Sequence, residues 1–303
     1  MPNTPNIKPA VPTSTATALS LTTLYPLLFV VLWSTGFIGA KFGLPHAEPL
    51  TFLFIRYLWV IGLMLPLVFI TRAPWPQDKR QWVHIGITGL LVHATYLGGV
   101  FTAIGKGLPA GATALIVGLQ PVFTGFIAAP WLGEKVHPRQ WLGLVLGLFG
   151  TWLVVSHKAV GIAAVTFTQV LPAIIALLGI TLGTLYQKKY CPRFDLRTGV
   201  ILQFFPSAVV TGLLVWLTET AQVEWVPEFM LALAWLVLVL SFGAITLLNL
   251  LIRSGSAVNV ASLFYLTPSV TALIAWVMFG EVLTLWGVAG MLIAAAGVYL
   301  ARR

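Results

Sequence analysis

Two ionisable side chains, Arg56 and His93, stand inside long apolar stretches of the sequence. An arginine keeps its charge at any physiological pH, so Arg56 needs a carboxylate, a group of carbonyls or water beside it. Glu48, a few residues earlier, is a conceivable partner. Two roles fit Arg56. It is either a packing or gating residue whose side chain extends towards the membrane surface, or an anchor for the carboxylate of a bound solute.

His93 offers a different chemistry, because the pKa of an unperturbed histidine lies near 6.5. No Asp or Glu falls within the apolar stretches that we predict, so His93 is the side chain there that we expect to carry a proton. A neutral histidine that hydrogen-bonds to a neighbouring helix fits the same position. Tyr96 follows one helical turn later and belongs to the same candidate site.

Pro121 and Pro268 each stand inside an apolar stretch, where a proline removes a backbone donor and kinks a helix. Carbonyls freed beside Gln120 and Thr267 could line a cavity at these two kinks. Kinks without any ligand contact fit equally well. Gln120 is therefore a candidate for lining a central site. The other polar and aromatic candidates are Trp33, Tyr186, Asn249, Asn259 and Tyr265.

A Gly-Glu pair ends each proline-containing stretch, at Gly133–Glu134 and at Gly280–Glu281. Both glutamates lie too close to the membrane surface to form a buried proton site. We predict that Glu134 and Glu281 are hinge residues, which pair with backbone amides or with nearby Lys and Arg side chains.

The motifs of common enzyme classes are missing from the sequence: it has no HExxH, no GxSxG, no P-loop and no paired carboxylates in an apolar stretch. The single cysteine, Cys191, excludes an internal disulfide and a CxxC metal site. We therefore expect no catalytic residue, no metal and no cofactor. Without a nucleotide-binding domain, any driving force must be a gradient.

The composition places these residues in a membrane. Of the 303 residues, 58% are hydrophobic and 8% are charged, whereas a soluble domain has about 25% charged residues. Lipid offers no partner to an unpaired backbone group, so the excess apolar residues must form spanning helices. Residues 1–23 are rich in Pro, Thr and Ser, which predicts a disordered cytoplasmic tail. The ten spans that we predict cover residues 24–43, 50–71, 82–104, 109–131, 139–156, 169–187, 198–218, 229–252, 257–279 and 284–301.

The basic residues predict the orientation of the chain. If the amino terminus is cytoplasmic, 13 of the 17 Lys and Arg residues fall on the inside and three on the outside, while Arg56 lies within a span. Cytoplasmic loops carry such an excess, so we expect both termini to be cytoplasmic. The same bias explains the net charge of +9 without nucleic acid as a partner.

An internal repeat organises the whole sequence. Shifting residues 110–156 by 147 positions superposes Ala110 on Ala257, Pro121 on Pro268 and Glu134 on Glu281, and the same shift superposes Lys41 on Lys188. The repeats are predicted as residues 24–156 and 169–303. Because five spans is an odd number, the second copy must be inverted relative to the first. We therefore predict an all-α polytopic membrane protein whose ten transmembrane helices form two inverted five-helix repeats, an arrangement typical of alternating-access carriers.

The most informative residues are Trp33-Ser-Thr-Gly36, Lys41, Pro49, Arg56, Pro121, Leu132-Gly-Glu134, Trp141-x-Gly143, Gly150, Pro268, Gly280-Glu281, Gly290 and Gly297. This pattern resembles the EamA-type members of the drug/metabolite transporter superfamily over about residues 24–303. The resemblance implies a bacterial inner-membrane protein that carries amino acids, sugars, nucleotide derivatives or other metabolites, often outwards. The superfamily's small four-helix drug exporters use a membrane carboxylate, and this chain departs from them in having none within the predicted spans.

From the repeat and the resemblance we expect a secondary transporter of small metabolites, of the amino-acid type and in the export direction. A carrier for sugar or nucleotide derivatives is the alternative within transport, and a membrane scaffold or receptor is the alternative outside it. The expected partners are a small-molecule substrate and membrane lipid, and the protein is expected to be a monomer or a homodimer.

Overall fold

The computed structural model describes residues 21–156, 166–280 and 282–302. In this part of the chain nine helices are long and apolar enough to cross a membrane, and one shorter apolar helix follows them. We number them α1 (Leu21–Gly43), α2 (Pro49–Ile70), α3 (Lys79–Gly105), α4 (Ala110–Leu132), α5 (Pro138–Ser156), α6 (Phe167–Tyr190), α7 (Leu196–Thr218), α8 (Pro227–Ser254), α9 (Ala257–Met278) and α10 (Leu285–Ala301). The predicted all-α membrane fold with ten helices is confirmed.

The observed helix ends differ from the predicted ones by a few residues. α1 begins at Leu21, within the segment predicted as a tail, and residues 1–20 of that segment lie outside the described residues, as does Glu281. α8 begins at Pro227, two residues before the predicted span, so Glu228 lies in its first turn. No carboxylate falls within the predicted spans, but the observed α8 includes Glu228, which is exposed at the start of the helix.

The packing of α5 against α10 shows that the repeats are inverted. A Cβ atom built on Gly143 would lie 2.6 Å from the carbonyl oxygen of Gly297, and one built on Gly290 would lie 2.7 Å from the carbonyl oxygen of Gly150. Gly143 corresponds to Gly290 and Gly150 to Gly297 in the repeat. Exchanging the repeats therefore turns each contact into the other, which requires a two-fold axis between antiparallel helices. Glycine allows this close backbone approach.

α2 and α7 form a second symmetric pair of helices, and hydrogen bonds at their starts join the two repeats. At the start of α2, the backbone N–H and the hydroxyl of Thr51 both donate to Glu219, which follows α7, at 2.7 Å each. At the start of α7, the hydroxyl of Thr198 donates to the carbonyl of Pro74, which follows α2, at 3.0 Å. Thr51 and Thr198 are equivalent in the repeat, so each fixes one repeat to the loop of the other.

Four of the helices are irregular, in two repeat-related pairs. α4 is interrupted between Val117 and Gln120, and α9 contains a 3₁₀ turn at Leu263–Tyr265. α3 and α8 contain π-helical segments at Leu90–Leu97 and Leu236–Ala244. Such segments release backbone groups from regular pairing and occur often at functional sites. These four helices therefore have the local freedom that a central site needs.

Candidate functional site

Arg56 lies in α2 and is 1% exposed. Its Nε donates to the hydroxyl of Ser241, on the π-helical segment of α8, at 3.1 Å, and that hydroxyl in turn donates to the carbonyl of Leu236. The Arg56 Nη1 atom has no partner among the described residues. The side chain is therefore buried inside the protein and does not extend to the membrane surface.

The guanidinium of Arg56 has no carboxylate beside it in the described part of the chain. The carboxylate of Glu48, the partner considered from the sequence, instead accepts from the backbone N–H of Thr220 at 2.7 Å and from its hydroxyl at 2.8 Å. Ion pairs between other described residues include Lys188 with Glu134 and Arg197 with Asp195, and His46 Nδ1 lies 3.0 Å from the carboxylate of Glu224. Arg56 is thus a buried cation whose identified partner is one neutral hydroxyl.

Arg56 forms part of the wall of a small cavity between α1, α2, α3 and α8. The cavity has a volume of about 30 Å³. Trp33 of α1 and Tyr96 of α3 stack in its wall with ring centroids 6.1 Å apart. The rest of the lining is apolar or glycine: Gly36, Phe37, Ala40, Leu97, Val100, Phe101, Leu240 and Ile245. A single cationic group therefore faces a largely apolar space.

His93 lies in the π-helical segment of α3 and is buried near Arg56. Its ring stacks on Phe204 of α7, with centroids 4.0 Å apart, and its backbone carbonyl accepts from the Tyr57 hydroxyl at 2.9 Å. Both ring nitrogens lack a hydrogen-bond partner among the described residues, as does the Oε1 atom of Gln203 beside them. His93 is thus buried, with the Gln203 amide as a neighbouring hydrogen-bonding group.

A second polar region lies where α4, α6, α8 and α9 meet. Gln120 is 1% exposed, and both polar atoms of its side chain are unpartnered within the described chain. It lines a cavity of about 10 Å³ together with Thr184 and Lys188. Nearby elements bring Gln187 and Asn249 together, with the amide of Gln187 donating to Asn249 at 2.8 Å. Buried amides with unused donors and acceptors can bind polar groups of a solute.

Glu134 joins the two repeats at the end of the molecule where α4 ends. Its carboxylate accepts from the backbone N–H of Ala257 at 2.9 Å and pairs with Lys188 at 3.3 Å. The Lys188 ammonium also donates to the carbonyl of Gly255. Glu134 follows α4 of the first repeat, whereas Lys188 lies in α6 and Ala257 begins α9 of the second. We call the contacts of Glu134 with Ala257 and Lys188 the Glu134 latch.

At the opposite end of the helices a larger cavity lies between α1, α4, α5 and α9. Its volume is about 290 Å³, and Lys41, Pro109 and Thr271 are among the residues that line it. Contacts between the repeats occur at both ends, between Glu134 and Ala257 at one and between Thr51 and Glu219 at the other. The Glu134 end also has a cavity, of about 640 Å³, which Phe194 and Arg253 help to line.

Several side chains predicted for a central site lie elsewhere or pack internally. The Tyr186 hydroxyl of α6 forms a hydrogen bond of 2.7 Å with the Nδ1 atom of His84 of α3. The Asn259 side chain accepts from the amide of Gln140 on α5 at 3.3 Å. Tyr265 is fully buried against Gly147, and its hydroxyl has no partner within the described residues.

The helix interruptions in α4 and α9 fall directly before the two prolines that predicted kinks. In α9, Ser34 of α1 donates to the carbonyl of Thr267 at 3.2 Å, and Thr151 of α5 donates to that of Tyr265 at 3.3 Å. The carbonyls around Pro268 are therefore used in packing. Pro121 follows Gln120, whose side chain lines the small cavity described above.

Sequence reasoning missed three residues of these regions: Ser241, Gln203 and Lys188. Ser241 is a hydroxyl side chain within the apolar run of α8, and Gln203 is a lone amide in that of α7. Lys188 is the repeat counterpart of Lys41, which the 147-residue offset already showed. A polar residue inside an apolar run was the available signal for the first two.

Comparison with known proteins decides what this arrangement belongs to. The EamA-like transporter family matches residues 20–156 and again residues 166–303. The chain belongs to this family. The two matches coincide with the two halves that the glycine contacts relate by symmetry. Family membership indicates a multi-pass membrane transporter rather than an enzyme.

Individual relatives agree with membership of the EamA family. The chain is 31% identical over 283 residues to an uncharacterized transporter, YvbV, of Bacillus subtilis (strain 168), covering 92% of this chain and 90% of the relative. It is 26% identical to a probable amino-acid metabolite efflux pump of Salmonella typhimurium, covering 90% and 92%. A crystal structure with 20% sequence identity superposes with a TM-score of 0.76 over 92% of this chain and 96% of the other. This last likeness supports the fold alone.

Proposed function

We propose that this EamA-family protein is a secondary carrier for small polar metabolites of the amino-acid type, working in the export direction by alternating access. The observation that carries the proposal is the two-fold relation between the repeats, which the contacts of Gly143 with Gly297 and of Gly150 with Gly290 express. The Glu134 latch joins the repeats at one end, and the bonds of Thr51 to Glu219 join them at the other. Opening the Glu134 end requires the contacts of the latch to break.

The site chemistry supports a polar solute. Arg56 supplies a buried cation, His93 supplies unpartnered ring nitrogens, and Gln120 and Asn249 supply unused amide groups. An amino acid has a carboxylate, an amine and a side chain, and could use all three kinds of group. The relative named as a probable amino-acid metabolite efflux pump points in the same direction. Carriage of a sugar or nucleotide derivative remains the alternative.

The membrane topology and the oligomeric state belong to the same proposal. We place the protein in the bacterial inner membrane with both termini in the cytoplasm, because 13 of its 17 basic residues then face inwards. The Glu134 latch is then at the cytoplasmic end. The transport unit in this proposal is a monomer or a homodimer.

Counterflow in proteoliposomes tests the proposal. Each of about twenty amino acids, and representative sugars and nucleosides, is loaded inside, and uptake of its radiolabelled form is followed against protein-free liposomes. Counterflow of amino acids supports the proposal, and counterflow of sugars or nucleosides alone replaces it with the alternative carrier. A flat panel from protein shown to be folded would contradict carrier function for these solutes and favour the membrane scaffold.

A further inference from the structure

The charge of Arg56 has no counterpart in the surrounding protein. Among the described residues, the only carboxylate within a spanning helix is Glu228, which is exposed in the first turn of α8. Taking a cation out of water is costly unless an anion and hydrogen-bond acceptors replace the water. Arg56 has one neutral hydroxyl at its Nε and an unpartnered Nη1. The buried site therefore lacks one negative charge.

The space beside Arg56 has the size of an anionic head group rather than of a whole solute. A volume of about 30 Å³ accommodates roughly one or two water-sized groups. The stacked rings of Trp33 and Tyr96 and the neighbouring apolar side chains leave the guanidinium as the charged donor in this wall. A guanidinium presents paired N–H donors that match the two oxygens of a carboxylate.

We propose that Arg56 is the anion-binding residue of the carrier, and that the solutes it transports carry a carboxylate that occupies the cavity beside Trp33 and Tyr96. This inference rests on the proposed function and deepens it, because it names the carboxylate as the group of the solute that the site binds. The carboxylate supplies the missing negative charge, while the apolar wall contacts the rest of the solute. A small inorganic anion such as chloride shares this chemistry, so the test separates the two.

The test compares matched acids and amides on the purified protein. Thermal unfolding is measured with L-amino acids, with the corresponding amino-acid amides, and with sodium chloride at equal ionic strength. Ligands that bind only the folded state raise its melting temperature. We expect the acids to stabilise wild-type protein and to drive counterflow at least about 10-fold better than the amides, a difference well within that of one charge-assisted contact.

Two substitutions test whether Arg56 causes this preference for acids over amides. Arg56→Gln should abolish the preference for acids and leave the ligand-free protein equally or more heat-stable, because it removes a buried charge without a counter-charge. Arg56→Lys should keep a weakened preference, because it retains the charge without the paired donors. Arg253→Gln is the matched control: that arginine already donates to the carbonyl of Phe194 at 2.6 Å, so the acid preference should survive.

Three results would overturn the assignment. These are equal effects of acids and amides on wild type, an acid preference that survives Arg56→Gln, and a stabilisation that chloride alone reproduces. If Arg56→Gln does not fold, the comparison of acids with amides on wild type and on Arg56→Lys tests whether Arg56 binds the carboxylate. Acid-selective stabilisation without any counterflow would uphold the site and contradict the carrier. Counterflow that is indifferent to the carboxylate would uphold the carrier and contradict the site.

Discussion

The Glu134 latch is the contact whose removal should most directly shift the carrier between its two states. Glu134 follows α4 of the first repeat, whereas Ala257 and Lys188 belong to the second repeat. If the repeats move relative to each other to open this end, these contacts cannot persist. Glu134→Gln keeps a side-chain oxygen for the Ala257 amide but removes the charge that pairs with Lys188. We therefore expect the substitution to favour opening at this end.

The size of the effect follows from the burial of the pair. The two side chains are 20% and 22% exposed and their charged atoms are 3.3 Å apart. Exposed ion pairs contribute about 0–1 kcal/mol, and hydrogen bonds to charged groups contribute about 1.5–3 kcal/mol. A partly buried pair that keeps its amide contact falls between them, so the closed state should lose about 1–2 kcal/mol. That loss corresponds to a shift of roughly 5–30-fold in the equilibrium.

A single reporter cysteine measures this shift. Ala261 is buried at 2% exposure in the wall of the cavity that holds Gln120. In a Cys191→Ser background, Ala261→Cys should react with a charged, membrane-impermeant thiol reagent applied from the Glu134 side only when that end opens. Adding Glu134→Gln should raise the reaction rate by roughly 5–30-fold, in proportion to the open population.

Asp195→Asn is the matched control. Asp195 pairs with Arg197 at 2.7 Å within the first turn of α7, so its removal breaks an ion pair that does not join the repeats. It should leave the reporter rate unchanged. An unchanged rate in Glu134→Gln, or an equal rise in both variants, would refute the reasoning that the latch holds this end closed.

Three further predictions concern packing, proton coupling and pH. Gly150→Ala should destabilise the protein by about 1–3 kcal/mol or more, because the added Cβ would lie 2.3 Å from the backbone of α10, and its melting temperature should fall. Gly62→Ala is the control, because a Cβ atom there has nothing within 4 Å, and it should leave the melting temperature unchanged. His93→Ala should abolish flux driven by a pH gradient and leave exchange intact, and surviving coupling would exclude His93 as the proton carrier. Hydrogen bonding from Arg197 lowers the pKa of Asp195 below 3.8, so Asp195 stabilises the fold above that pH and its contribution is lost as the pH falls through the lowered value. The melting-temperature advantage of wild type over Asp195→Asn should accordingly shrink as the pH falls below 3.8, and an advantage that grows as the pH falls would contradict this sign.

The fold was predictable because its main determinants are written along the chain. Long apolar runs give the helices, and the 147-residue offset gives the repeat. The odd number of spans per repeat gives the inversion, which the contact of Gly143 with Gly297 then shows. Glu134 was also predicted to pair with a backbone amide and a basic residue, since a glutamate at a helix end near the surface needs such partners.

The composition of the central site was harder to predict because apolar periodicity does not fix the rotation of a buried helix. Tyr186 and Gln187 are adjacent in α6, yet the tyrosine is only partly buried and bonds to His84 of α3, whereas the glutamine is buried against Asn249. Successive helical residues point about 100° apart, so a shift of one position exchanges such roles. The contact of Arg56 with Ser241 joins distant parts of the chain, and no local pattern pointed to it.

The pairing of α5 with α10 also constrains how the protein is made. The ribosome delivers α5 to the membrane before α6 to α9, and α10 only after them. Until α10 inserts, the glycine face of α5 has no partner for its exposed backbone, and lipid chains cannot fill it as closely. This interface forms late and joins distant parts of the chain, and contacts between distant parts of a chain form slowly. A nascent chain that stops short of α10 should therefore be a substrate for the proteases that clear unfinished membrane proteins.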